Sequence, residues 1–163
     1  MVGGLGGVGI LKVAALNGRA SELAQLRRAV AALRAYVAHT RAPAAQAFRA
    51  AARASGGLVA RALEDAARLV SSRQGLSGGG AWMQAYSRYR SLSCLTEEDR
   101  ALLEELCVLF GRVDGETQLA SIDQALTRLQ LAEAEADQER DRMGRLLGFS
   151  GVAAGLALAI WLL

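Results

Sequence analysis

Few residues in this 163-residue chain combine types and spacing that suggest chemistry. Gly4, Gly6 and Gly9 spell G-x-G-x-x-G, with Glu22 following as a possible ribose acid. That fingerprint needs a strand before it and a helix after it, so that the glycine backbone can approach a pyrophosphate. Residues 1–3 leave no room for a strand, and the motif is rejected. His39 is the only histidine, which rules out paired-histidine metal sites and leaves little material for a nucleophile–base arrangement. Cys94 and Cys107 lie thirteen residues apart with no histidine beside them, so zinc-ribbon spacing is absent. Two cysteines make no disulfide framework and read as ordinary reduced thiols.

Glu97, Glu98, Glu104 and Glu105 resemble paired acid and base carboxylates, yet their positions match a helix N-terminus and the solvated face of an amphipathic helix. Tyr86, Arg88, Tyr89 and Arg90 interleave rings with positive charge, a pattern that stacks on nucleic acid but more commonly anchors a short helix to a core. The expectation is therefore no enzyme, no cofactor, no metal site and no nucleic-acid partner, but a helical interaction protein.

The elements that carry these residues follow from composition. Val, Ile and Thr together make 17 of 163 positions, too few for a chain built on sheets, while Ala, Leu, Arg and Glu dominate and only one proline occurs. The fold class is all-α. Leu23, Leu26, Val30, Leu33 and Val37 alternate by three and four, the apolar seam of a helix from about Glu22 to His39. Pro43, at a first helical position, starts a second helix carrying Phe48, and Gly56 and Gly57 end it. Leu58, Ala62, Leu63, Ala66, Leu69 and Val70 give a third its buried face. Gly75–Gly80 reads as a loop before a short helix with Trp82, Met83, Tyr86 and Tyr89. Thr96 opens a fifth with a capping box, and Leu102, Leu103, Leu106, Leu109 and Phe110 face inward. The sixth begins near Glu116, with Leu119, Ile122, Leu126 and Leu129 inward, and no proline interrupts it before the chain ends.

The net charge of +3 conceals an asymmetry. Residues 19–73 hold ten arginines against three acids, a balance of +7, whereas residues 91–139 hold twelve acids against three arginines, a balance of −9. The halves are electrostatic complements, so they are expected to lie against each other in one bundle; a basic surface kept for nucleic acid is the sharper but less favoured reading, and partner docking takes the remainder.

Both ends are apolar. Leu146–Leu163 has no charged residue over 18 positions, close to the roughly 20 needed to cross a bilayer as a helix. Met1–Gly18 is apolar apart from Lys12, which is costly at a membrane centre unless it snorkels or pairs. Arg19, Arg27 and Arg28 follow the first segment and Arg140, Arg142 and Arg145 precede the second. The positive-inside rule therefore puts both flanks in the cytoplasm. The expected layout is a transmembrane segment at 1–18, a cytoplasmic antiparallel helical bundle at 19–145 and a transmembrane helix at 146–163. Gly144 with Gly148, and Gly151 with Gly155, have the small-xxx-small spacing that mates helices in lipid. The alternative layout is a single-pass, C-terminally anchored helical adaptor with an unrelated partner, and Lys12 is its best support.

An ordered set of motifs then points further: Leu109-Phe110-Gly111, Asp114, Gln118, the run ALTRLQLAEAEADQER from Ala125 to Arg140, then LLGF and the apolar tail. With QLRRAVAALRAYV from Gln25 to Val37, Pro43, Ala47 and Trp82, the chain resembles the stage III sporulation protein AB family over nearly its whole length. Arg34 and Tyr36 stand where that family usually places acids on the first soluble helix. Ala42, Pro43, Ala44 and Gln46 replace its Thr-Pro-Leu turn and following Glu, so the first helix here is more basic.

The resemblance implies a component of the secretion-like channel between mother cell and forespore, in the mother-cell membrane. The family is similar to the platform proteins of type II secretion and type IV pilus machines. It implies as partners a secretion-type sporulation ATPase (stage III sporulation protein AA-like), the other stage III sporulation channel proteins and membrane lipid. Arg27, Arg28, Arg34 and Arg41 are the candidate docking residues on that reading.

Overall fold

The computed structural model describes the backbone of residues 4–39, 43–72, 75–110 and 115–161, and side chains within 12–38, 43–72, 75–110 and 119–146. Among the described residues there are six α-helices and no strand. They are α1 (Gly4–His39), α2 (Ala44–Ser55), α3 (Gly57–Ser71), α4 (Gly78–Ser87), α5 (Glu97–Leu109) and α6 (Gly115–Trp161), with a 3₁₀ turn at Arg90–Leu92 between α4 and α5. α1 packs on α2, α3 and α6; α2 on α3, α3 on α4, α4 on α5 and α5 on α6.

The seam read from the sequence is the core of α1. Leu23, Leu26, Val30 and Leu33 are fully buried, with Ala29 beside them. Trp82 of α4 sits at the opposite side of the core, its ring tilted between Phe48 of α2 at 6.2 Å and Phe110 at 5.6 Å. Such offset aromatic pairs add about 0.5–1.5 kcal/mol each beyond the area they bury.

Local signals set the boundaries, and several differ from expectation by a residue or more. Pro43 lies one position before the first helical residue, with ψ at 141°, and its carbonyl accepts from Gln46 N at 2.9 Å. Proline has no N–H to leave unpaired there. Gly56 and Gly57 both take positive φ, 81° and 58°, which lets α2 and α3 fold back on each other with no further loop. Gly78, Gly79 and Gly80 are not loop. The Ser77 hydroxyl accepts from Gly80 N at 3.1 Å and caps a helix that contains all three. A Cβ on Gly78 would sit in ordinary contact, 3.4 Å from the Phe110 carbonyl and 3.6 Å from the Phe48 ring, so packing there does not demand glycine. At α5 the capping box stands as expected, with Thr96 Oγ1 accepting from Asp99 N and the Asp99 carboxylate accepting from Thr96 N.

α1 is a single helix of 36 residues rather than a segment followed by a helix from Glu22, and α6 is a single helix of 47. The expected boundaries at 18/19 and 145/146 therefore fall inside continuous helices. Among the described residues no helix is long and apolar enough to cross a membrane. Most of the two expected transmembrane segments, residues 1–11 and 147–163, lies outside the residues whose side chains are described.

Candidate functional site

The two longest helices meet along an ionic seam. Arg19 Nη1 reaches Glu139 Oε2 at 3.1 Å, Arg27 Nε reaches Glu133 Oε2 at 2.6 Å, and Arg34 grips Asp123 with two nitrogens, Nη2 lying 2.8 Å from Oδ2. Partner numbers fall on α6 as they rise on α1, so the helices run antiparallel. The basic and acidic stretches therefore do face each other. The outermost pair, Arg34–Asp123, is two-fifths to one-half exposed, so solvent screens it and it adds little to stability. Its geometry still marks the register, and the Arg34 guanidinium holds the Asp123 carboxyl below the usual carboxylate range.

The seam ends in a buried polar node. Arg19 and Asp99 are 9% and 3% exposed, and the guanidinium meets the carboxylate with Nε–Oδ2 at 2.7 Å and Nη2–Oδ1 at 3.1 Å. Burial pushes Asp99 toward its neutral form. The Arg19 pairing and the Thr96 hydrogen bonds outweigh that, and its carboxyl stays below the usual range. Three residues along α1, the buried Glu22 carboxylate takes the loop before α5. Oε1 accepts from Tyr86 and from Ser93 Oγ at 2.9 Å, and Oε2 from Cys94 N at 2.8 Å. Burial first, and then the Glu22 carboxylate, raise the Tyr86 phenol. Arg19 and Glu22 thus tie α1 to α4, α5 and α6 at one end of the bundle.

Neither role was read from the sequence, although a signal was present. Positions 19, 22, 26, 30 and 33 step by three and four, so Arg19 and Glu22 prolong the apolar seam with charged side chains that must point inward. Asp65, 7% exposed on α3, is a second such acid, accepting from Arg68 and from Tyr89 Oη at 3.0 Å. It explains the Tyr86–Arg90 interleaving: Tyr86 is buried on Glu22, while Tyr89 and Arg88 attend Asp65, the latter at 3.8 Å.

The candidate docking arginines separate. Arg27 and Arg34 are held by acids of α6, Arg28 is exposed and donates to the Ser55 carbonyl at 3.1 Å, and Arg41 lies outside the described residues. Arg49, Arg53 and Arg68 instead share a surface hollow with Glu64, and Arg49 and Arg53 have no ionic partner among the described residues. Gly144 is exposed, with nothing within 4 Å of a Cβ built on it; the surroundings of Gly148, Gly151 and Gly155 lie outside the described residues. Glu104 and Glu98 are exposed, Glu105 pairs with Arg128 at 2.5 Å and Glu97 with Arg100. No His/Cys/Asp/Glu group among the described residues is arranged to hold a metal ion.

Above the Arg19 node, between α1 and α6, opens a cleft of about 590 Å³. Lys12, Ala15, Leu16 and Arg19 line it from α1, Glu139, Arg142, Met143 and Leu146 from α6, and Cys94 and Thr96 from the loop. Next to it Gly18 packs against Cys94: a Cβ there would make the Cys94 thiol turn aside.

These features define an all-α bundle built on an antiparallel pair of long helices cross-linked by arginine–carboxylate contacts. Residues 1–163 match the family described as stage III sporulation protein AB (spore_III_AB), and the chain belongs to that family. A solved structure titled stage III sporulation protein AB (SpoIIIAB) has the same fold, with a TM-score of 0.71, 23% identity, and coverage of 77% of this chain and 98% of that one. No curated protein matches the chain.

Proposed function

We propose that this sporulation stage III protein is a non-catalytic platform in the mother-cell membrane. Its bundle faces the cytoplasm and couples a secretion-type ATPase to the channel between mother cell and forespore. The observation that carries the reading is α6 itself: one 47-residue helix that begins against α5, is tied to α1 by three arginines, and continues to Trp161 through the apolar stretch. A helix without a break transmits displacement from the bundle toward a membrane, and the antiparallel register sends the apolar start of α1 out at the same end. The family membership supports the sporulation assignment.

The ATPase would meet the cations that have no carboxylate partner among the described residues. Arg27 and Arg34 are committed to Glu133 and Asp123, so the docking face on this reading comprises Arg28 together with Arg49 and Arg53. The test is a crosslinked, mild-detergent pull-down of the full-length protein from engulfment-stage cells, with an Arg49→Glu/Arg53→Glu sample in parallel. Recovery of a secretion-type ATPase with the native chain but not the variant supports the platform. Its absence from both favours the single-pass adaptor. One observation suits that second reading: Lys12 is exposed and has no ionic partner among the described residues.

A further inference from the structure

The cleft between α1 and α6 combines two chemistries. Its polar side is cationic. Arg19 is more than balanced by Asp99 and Glu139, and the site keeps a net positive charge through Lys12 and Arg142, which are exposed and lack an ionic partner among the described residues. Its other walls are Ala15, Leu16, Met143 and Leu146. Lys12 and Leu146 line the same cleft, so Lys12 stands level with the start of the apolar stretch of α6 rather than deep within it. That is the height at which a lysine sits beside headgroup phosphates instead of in hydrocarbon.

We propose that this cleft binds the headgroup of one anionic phospholipid, with Lys12 and Arg142 on its phosphate, its glycerol against Met143 and its acyl chains leaving past Leu146 in the direction of the apolar stretch of α6. A free phosphate would leave Met143 and Leu146 without a partner, and a zwitterionic lipid brings beside its phosphate a choline cation that Lys12 and Arg142 repel. A lipid seated there touches α1 and α6 at once, next to Arg19, and so reinforces the hairpin where it leaves the bundle. The inference rests on the membrane reading above and adds a specific site to it.

The test reconstitutes the full-length chain in phosphatidylcholine vesicles with and without phosphatidylglycerol, then measures lipid retained per chain by mass spectrometry after detergent extraction. The expected result is retention of one phosphatidylglycerol per chain in preference to phosphatidylcholine. Lys12→Gln and Arg142→Gln should each weaken that preference about tenfold or more, the loss of one charge-assisted hydrogen bond to the phosphate. Arg145→Gln, an exposed arginine on the same flank that does not line the cleft, should lose no more than the roughly fivefold of general surface attraction. An equal loss with Arg145→Gln would reduce the effect to general surface attraction and overturn the site, as would displacement of the lipid by millimolar inorganic phosphate. Insertion into phosphatidylcholine without any phosphatidylglycerol preference contradicts the cleft alone; failure to enter either vesicle contradicts the membrane reading and the site together. Both glutamine variants alter exposed residues, and unchanged helical circular dichroism verifies their folding.

Discussion

Arg19 on α1 and Asp99 at the first turn of α5, 80 residues apart in sequence, meet edge to edge through two hydrogen bonds inside the bundle. Asp99 also closes the Thr96 capping box, so one carboxylate terminates a helix and anchors it to another.

The pair is buried, so breaking it leaves a lone charge in a poorly solvated site. Arg19→Met should destabilise the bundle by about 3–5 kcal/mol, read as a lower urea midpoint at unchanged slope. Arg19→Met combined with Asp99→Leu should recover part of that loss, because no uncompensated charge then remains. A single-variant cost below about 1 kcal/mol, as for a surface pair, would contradict the buried node.

Stability should also depend on acid. Asp99, Asp65 and Asp123 are all held below the usual carboxylate range by guanidinium partners, so the folded state binds protons less readily than the unfolded chain. Their contribution is fully present above the unfolded carboxylate pKa of about 4 and is lost as pH falls toward and through the lower folded values. Urea titrations from neutral to acidic pH should show a falling midpoint, with a shallower acid limb in Asp99→Asn.

Thiol chemistry should separate the two cysteines. Cys107 is buried on α5, and burial, with Glu104 nearby, pushes its thiol up to about 12, whereas Cys94 is exposed. A maleimide at neutral pH should label one thiol per folded chain and two in urea. Cys94→Ser should abolish labelling of the folded protein.

Trp82 is fully buried between Phe48 and Phe110, and its indole Nε1 has no hydrogen-bond partner among the described residues. Trp82→Ala should cost about 3–5 kcal/mol. Trp82→Phe keeps a ring in place and removes an unpaired donor, so its midpoint should lie much nearer the native one.

The apolar residues and the caps explain which parts of this fold were legible beforehand. Leu23 to Leu33 and Thr96 with Asp99 act through their immediate neighbours, and spacing alone identifies them. Gly78–Gly80 read as loop on glycine's low helix propensity, yet the Ser77 cap starts α4 across all three. The charge asymmetry indicated that the halves complement each other, but not which arginines are used up in doing so. That depends on the antiparallel register of α1 and α6, which places Arg27 against Glu133 and leaves Arg49 and Arg53 on the surface. Arg19 and Glu22 went unread because a charged residue on an apolar seam is assigned to solvent unless its partner is known, and those partners lie 64 to 120 residues away.

Both the coupling role and the lipid cleft require that the bundle hang from the cytoplasmic face of a membrane, and Cys94, exposed beside the cleft, reports on this directly. The decisive measurement is labelling of Cys94 by a membrane-impermeant maleimide in alkaline-washed vesicles of opposite orientation carrying the full-length chain. The chain should remain with the washed vesicles and react when they are inside-out but not when they are right-side-out. Release of the chain by the wash, or labelling of Cys94 in right-side-out vesicles, would contradict the membrane-anchored platform.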